Sequence, residues 1–149
     1  MKIQRGFTLI ELVVVIVILG ILAVSAAPRF INIQNDARAS TIAGMKGTIV
    51  SMNDLVYSKA ILEGKDKLAN SVVNGVPIKY GYIEATRTAL NAALQITDED
   101  WVFTPSAVNP NSIEIRQKGA EDACMFNYTN AGAIYPPQYT NLPDASSCN

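Results

Sequence analysis

The chain has 149 residues, 13 acidic and 12 basic, giving a net charge of −1, and 49% of it is hydrophobic. That is the size of one modest domain plus an anchor, and its near-neutral balance excludes the basic face that nucleic-acid binding requires. There is no histidine. This removes the commonest general base, every Ser-His or Cys-His nucleophile pair and most transition-metal sites. No glycine-rich phosphate loop is present either. The composition therefore predicts a non-enzymatic protein with no catalytic residues, no metal and no cofactor.

The chain opens with Met1 to Gly6, which carry Lys2 and Arg5. Phe7 to Ala27 then run as 21 almost wholly apolar residues interrupted by one charge, Glu11. At about 1.5 Å per helical residue this stretch spans roughly 30 Å of hydrocarbon. Its basic flank predicts a cytoplasmic N-terminus and export of everything that follows. An acid inside a membrane helix costs about 2 to 3 kcal/mol near the bilayer centre and less near the edge. Three readings fit this segment. One is a secretory signal peptide cut after Val24-Ser25-Ala26, which would release a soluble periplasmic binding domain. Another is a plain single-span anchor whose Glu11 reaches back to the headgroups. The third gives Glu11 a task of its own.

The third reading comes from Gly6-Phe7-Thr8-Leu9-Ile10-Glu11-Leu12, which resembles the processing site of type IV prepilins. With Val13 to Ala23 and Ala27-Pro28-Arg29-Phe30-Ile31-Asn32, the chain is most similar to the pilin group of the mannose-sensitive haemagglutinin (MSHA) pilus. The likeness is strong from Gly6 to about Gly47 and thins afterwards. It implies that a prepilin peptidase cuts between Gly6 and Phe7 and methylates the new amine of Phe7. It also implies that the Glu11 carboxylate of one subunit pairs with the Phe7 amine of the next during assembly. Pairing within one chain is the other possibility, since the two residues share a helical face. The implied protein is the major subunit of a homopolymeric pilus filament used in attachment and biofilm formation. It would sit in the inner membrane of a Gram-negative bacterium before assembly, engage the pilus assembly machinery there, and then be displayed outside the cell. A type II secretion pseudopilin, which shares the leader and the helix, is the nearest alternative.

Gly20 and Pro28 interrupt the helical stretch, because proline removes a backbone donor and glycine weakens a helix interior. The residues are compatible with a boundary at which Pro28 opens a new segment. The resemblance implies a helix hinge at Gly20 and Pro28. Beyond them Ile42, Met45, Ile49, Met52, Val56 and Ala60 recur at three- and four-residue steps, an apolar stripe that predicts a core face. Arg38, Lys46, Asn53 and Asp54 are read as lying away from that stripe. Gly64 supplies a stop signal.

The expected organisation is a leader over 1–6, a membrane or filament-core helix over 7–28, an amphipathic helix over 29–63 and a globular head over 64–149. The fold class is α+β, a long N-terminal helix packed on a small antiparallel sheet, pilin-like. In the head, Asn74-Gly75 between Val72-Val73 and Val76-Pro77-Ile78 predicts a hairpin, with Pro77 confining its strand to an edge. Ala85 to Leu94 predicts a short helix. Trp101 to Thr104, Ser112 to Gln117 and Ala123 to Tyr128 predict successive strands.

Cys124 and Cys148 are the two cysteines. In an exported chain such a pair reads as a disulfide, the alternative being two free thiols. The resemblance points to the bond and makes 124–148 the variable surface loop. Thr97-Asp98-Glu99-Asp100 lacks EF-hand spacing and reads as a solvated turn or cap rather than a calcium site. Tyr128, Tyr135 and Tyr139, with Pro136-Pro137, fit either an exposed adhesive surface or filling beneath the loop. Asn127-Tyr128-Thr129 matches the glycosylation tripeptide but falls in a predicted strand, and no role is assigned to it.

Overall fold

The computed structural model describes residues 6–97 and 99–148, with only the backbone of residues 27–32 included. Lys2, Arg5 and Asp98, and the side chain of Pro28, lie outside the described residues. The chain divides into two compact units, Met1–Gln34 and Asn35–Asn149.

Helix α1 spans Leu9–Leu62 and contributes to both units. In the first unit, every described side chain from Gly6 to Ala26 is exposed. The stretch Leu9–Ala26 has a mean hydropathy of 3.0 and is long and apolar enough to cross a membrane. A helix apolar on all sides gains its burial from lipid or from other helices. Helical backbone continues through Gly20 and through position 28, and a Cβ at Gly20 would meet nothing within 4 Å. The glycine is therefore not there to admit a close neighbour within the chain.

In the second unit the predicted stripe is the core. Ile42, Met45, Ile49, Val56 and Ala60 are buried and Met52 packs against them. The helix ends where Gly64 was expected to stop it. Gly64 has φ +66°, its N–H donates to Ile61 O at 3.0 Å, and the Lys65 N–H donates to Ala60 O at 2.8 Å. This is a Schellman cap, which needs a left-handed residue and so favours glycine.

Strands β1 (Ser71–Val73), β2 (Val76–Lys79) and β3 (Tyr82–Ile83) form a three-stranded antiparallel sheet in that order. Asn74 (φ 49°) and Gly75 (φ 80°) make the two-residue turn that the dipeptide predicts. Pro77 does not lie in an edge strand, because β2 is central. Its pairing partner Val72 sits next to the turn-flanking pair Val73 and Val76, so the missing donor faces β3 rather than β1. There β3 pairs only Ile78 and Lys79, and the Pro77 carbonyl accepts from the Glu84 N–H at 3.0 Å. The third strand was missed because two residues carry no readable alternation.

Helix α2 (Arg87–Leu94) begins two residues later than expected, since Thr86 is extended and its hydroxyl caps the Ala89 N–H at 3.3 Å. Strands β4 (Trp101–Pro105), β5 (Ser112–Gln117), β6 (Met125–Thr129) and β7 (Gln138–Tyr139) form a second antiparallel sheet in chain order. The head thus has two small sheets where one was expected. Ile113 and Ile115 of β5 are buried with Phe126 and Tyr128 of β6, Ile78, Ile83 and Leu90, all in one cluster with the α1 stripe. Each such side chain contributes about 1.5 to 3 kcal/mol on burial.

Asn53 corrects the reading of α1. It stands four residues after Ile49 and is 2% exposed. Its amide nitrogen donates to the Tyr139 hydroxyl at 2.8 Å and the Tyr128 hydroxyl at 3.2 Å, and its Oδ1 accepts the Ile83 N–H at 2.9 Å. One polar side chain on the core face therefore ties α1 to both sheets. Tyr128 also donates to Ile83 O, and burial pushes its phenol far above the ordinary tyrosine range.

Candidate functional site

Phe7 is 83% exposed and precedes the start of α1. Four N–H groups at a helix start lack intrahelical partners, and in an apolar span they have no water to turn to. Thr8 and Glu11 supply partners reciprocally. The Glu11 N–H donates to Thr8 Oγ1 at 3.2 Å, while the Thr8 N–H and hydroxyl donate to Glu11 Oε2 at 2.9 Å and 2.7 Å. This is a capping box, and the negative carboxylate also sits at the positive end of the helix dipole. Glu11 is thus held in a fixed place by its own chain. Its signal, Thr-x-x-Glu before an apolar run, stood in the sequence and was read only as part of the processing pattern.

The geometry bears on how the carboxylate can act. Both donated bonds from Thr8 end on Oε2, so Oε1 is turned to neither. The carboxylate is exposed and tethered at the mouth of an apolar helix. Gly6 and Phe7 lie immediately before the box and are exposed.

At the far end of the chain Cys124 and Cys148 are joined in a disulfide, with their Cα atoms 4.6 Å apart. The segment between them is tied back to α1. Lys46 Nζ donates to Thr140 O at 3.0 Å and lies 5.8 Å from the Tyr139 ring centroid, and Arg38 donates to Cys148 O at 3.4 Å. Both cations had been read only as lying off the apolar stripe. Of the three tyrosines left open by sequence, Tyr128 is fully buried, Tyr139 packs against the core, and Tyr135 is 54% exposed. Asp144 accepts from Ser146 and Ser147, which holds its carboxyl below the usual range. Among the described residues no group of three or more Cys, Asp and Glu is placed to hold a metal.

Residues 1–27 match the model of the prokaryotic N-terminal methylation motif. A fimbrial protein of Pseudomonas aeruginosa is 35% identical over 100 residues, covering 66% of this chain and 62% of the relative. The type IV narrow pilus major component of Thermus thermophilus is 38% identical over 61 residues, 41% of this chain and 49% of its own length. The chain is similar to the subunits of type IV pili and fimbriae. A fimbrial protein of Moraxella nonliquefaciens is 39% identical over 84 residues, covering 54% of this chain and 53% of that relative. The match spans 62% of the length of the Pseudomonas relatives, and no solved structure matches this chain.

Proposed function

We propose that the chain is the structural subunit of a type IV pilus, built by packing its apolar N-terminal helices into a filament core with the heads outside. The observation that carries this reading is the helix Leu9–Ala26, apolar and exposed on all sides, with the carboxylate of Glu11 fixed at its start by Thr8. Such a helix is stable first in a membrane and then among copies of itself. The matched methylation motif supports cleavage between Gly6 and Phe7 by a prepilin peptidase and methylation of the Phe7 amine. That amine, positively charged, pairs with Glu11 of a neighbouring subunit, since each charge alone is costly in an apolar core. The subunit waits in the inner membrane of a Gram-negative cell, engages the assembly machinery and ends in an extracellular filament. The protein has no catalytic role. Attachment and biofilm formation, and kinship with the MSHA pilins, rest on the resemblance of residues 6–47.

Electron microscopy of cells expressing the chain, with and without Glu11→Gln, tests the proposal. Long fibres with the native sequence and few or none with the variant, both processed alike, are expected. Abundant normal fibres from the variant would remove the assembly role of Glu11, and absence of fibres in both would remove the filament itself.

A further inference from the structure

A cleft of about 500 Å³ opens within the head, lined by Tyr57 of α1, Tyr80 and Tyr82 at the β2–β3 turn, Tyr135 of the loop before β7, and Asp66. Four of the six tyrosines of the chain converge there. Three local features show that the rings are placed rather than incidental. Tyr80 is the first residue of the two-residue turn between β2 and β3, with φ 48° followed by Gly81 at φ 85°. Turns of this kind favour asparagine or glycine at that position, and a bulky residue there is strained. Next, a Cβ at Gly81 would stand 2.7 Å from the Tyr57 ring, and a Cβ at Gly132 would overlap the Tyr135 ring, so each ring lies directly against a glycine. Last, Tyr57 and Tyr82 stack with centroids 4.5 Å apart and planes 12° from parallel. Strained residues of this sort gather at ligand clamps.

The lining carries one carboxylate, Asp66, and one ammonium, Lys67. Asp66 is half-buried, and its carboxylate makes no hydrogen bond or ion pair with any described residue. Tyrosine faces carry negative potential and attract cations, most effectively those that are weakly hydrated. A primary ammonium needs three acceptors, whereas one carboxylate and several rings suit a cation that has no N–H to satisfy. We propose that this cleft binds a quaternary ammonium group, the trimethylammonium of choline or of a choline-bearing headgroup, against the tyrosine rings that line it and beside the carboxylate of Asp66. Lys67, exposed on the same lining, is placed to take the phosphate of a phosphocholine. This reading does not depend on filament assembly.

The test is a titration of the full-length chain, in a detergent without choline headgroups, with choline chloride and separately with phosphocholine, followed by NMR of the tyrosine rings. Saturable shifts are expected, weakened at least about fivefold by Asp66→Asn and by Tyr80→Asn. Asparagine suits the turn, so the second variant keeps the hairpin while removing a ring, and unchanged circular dichroism verifies the fold. Tighter phosphocholine than choline binding assigns the site to a headgroup, and equal binding assigns it to the free cation. The uncharged isostere 3,3-dimethylbutanol is expected not to bind. The proposal is overturned if choline gives no saturable shift, if the isostere binds as well, if both variants bind like the native chain, or if only a neutral sugar such as glucose binds.

Discussion

Thr8 and Glu11 hold each other at the start of the apolar helix: the threonine offers both its N–H and its hydroxyl to one carboxylate oxygen and receives the glutamate N–H in return. The pair turns an expensive acid into a cap, and it ties the orientation of Glu11 to a residue three positions earlier. Thr8→Val keeps the shape and removes the hydroxyl, so it should fray the helix start by about 1 kcal/mol and lower filament yield. Thr8→Ser should restore both. Processing of the leader, followed by immunoblot, should be unaffected in each; equal fibre yield from the valine variant would show that Glu11 needs no such support.

Asn53 predicts the largest single loss of stability in the head. Asn53→Leu buries no polar atom of its own but strands the Ile83 N–H and removes a partner from Tyr128 and Tyr139. The expected destabilisation is about 2 to 4 kcal/mol, measured by urea or thermal unfolding. A change within 0.5 kcal/mol, about the effect of an ordinary surface substitution, would mean the network holds without it.

Alkaline pH should unfold the head through the same network. Burial raises the Tyr128 phenol above its ordinary value of 10.0. Tyr82 and Tyr139 are raised for the same leading reason. A group whose folded pKa is raised gives stability that is intact below the unfolded value and is lost as pH climbs towards the folded one. Stability should thus be flat up to about pH 10 and fall beyond it, by about 1.4 kcal/mol per pH unit from Tyr128 alone. Unfolding midpoints taken across that range check the slope; Tyr128→Phe should flatten it, though the variant starts less stable.

The disulfide closes a sequence separation of 24 residues. Replacing both cysteines with alanine should cost about 3 kcal/mol, read as a lower unfolding midpoint of the head. The tethers from Lys46 to Thr140 and Arg38 to Cys148 predict that the loop stays docked on α1 in the reduced form, with hydrogen exchange rising most near Cys148.

What was legible in the sequence had a periodic or local cause. The Ile42 to Val56 stripe, the Asn74-Gly75 turn and the Gly64 cap each follow from a spacing or a φ requirement, and the structure shows all three. Asn53 was misread because hydropathy assigns a polar residue to the outside, and only the partners in β3, β6 and β7 make it an inside residue. Those partners come from segments 30, 75 and 86 residues away. Pro77 was misplaced because its edge preference assumes a full-length neighbour, whereas β3 ends before the missing donor matters. The Tyr80 cleft had no signal at all, since its four tyrosines come from three segments that meet only in the fold. At the N-terminus the capping box was readable from Thr8 and Glu11 alone.

The intact mass of the native protein taken from membranes or sheared fibres tests the central claim most directly. Loss of Met1 to Gly6 with a gain of about 14 Da for one methyl group is the result a pilus subunit requires. A mature chain beginning at Ala27 would contradict it, because the helix that carries Phe7 and Glu11 would then be discarded before any assembly.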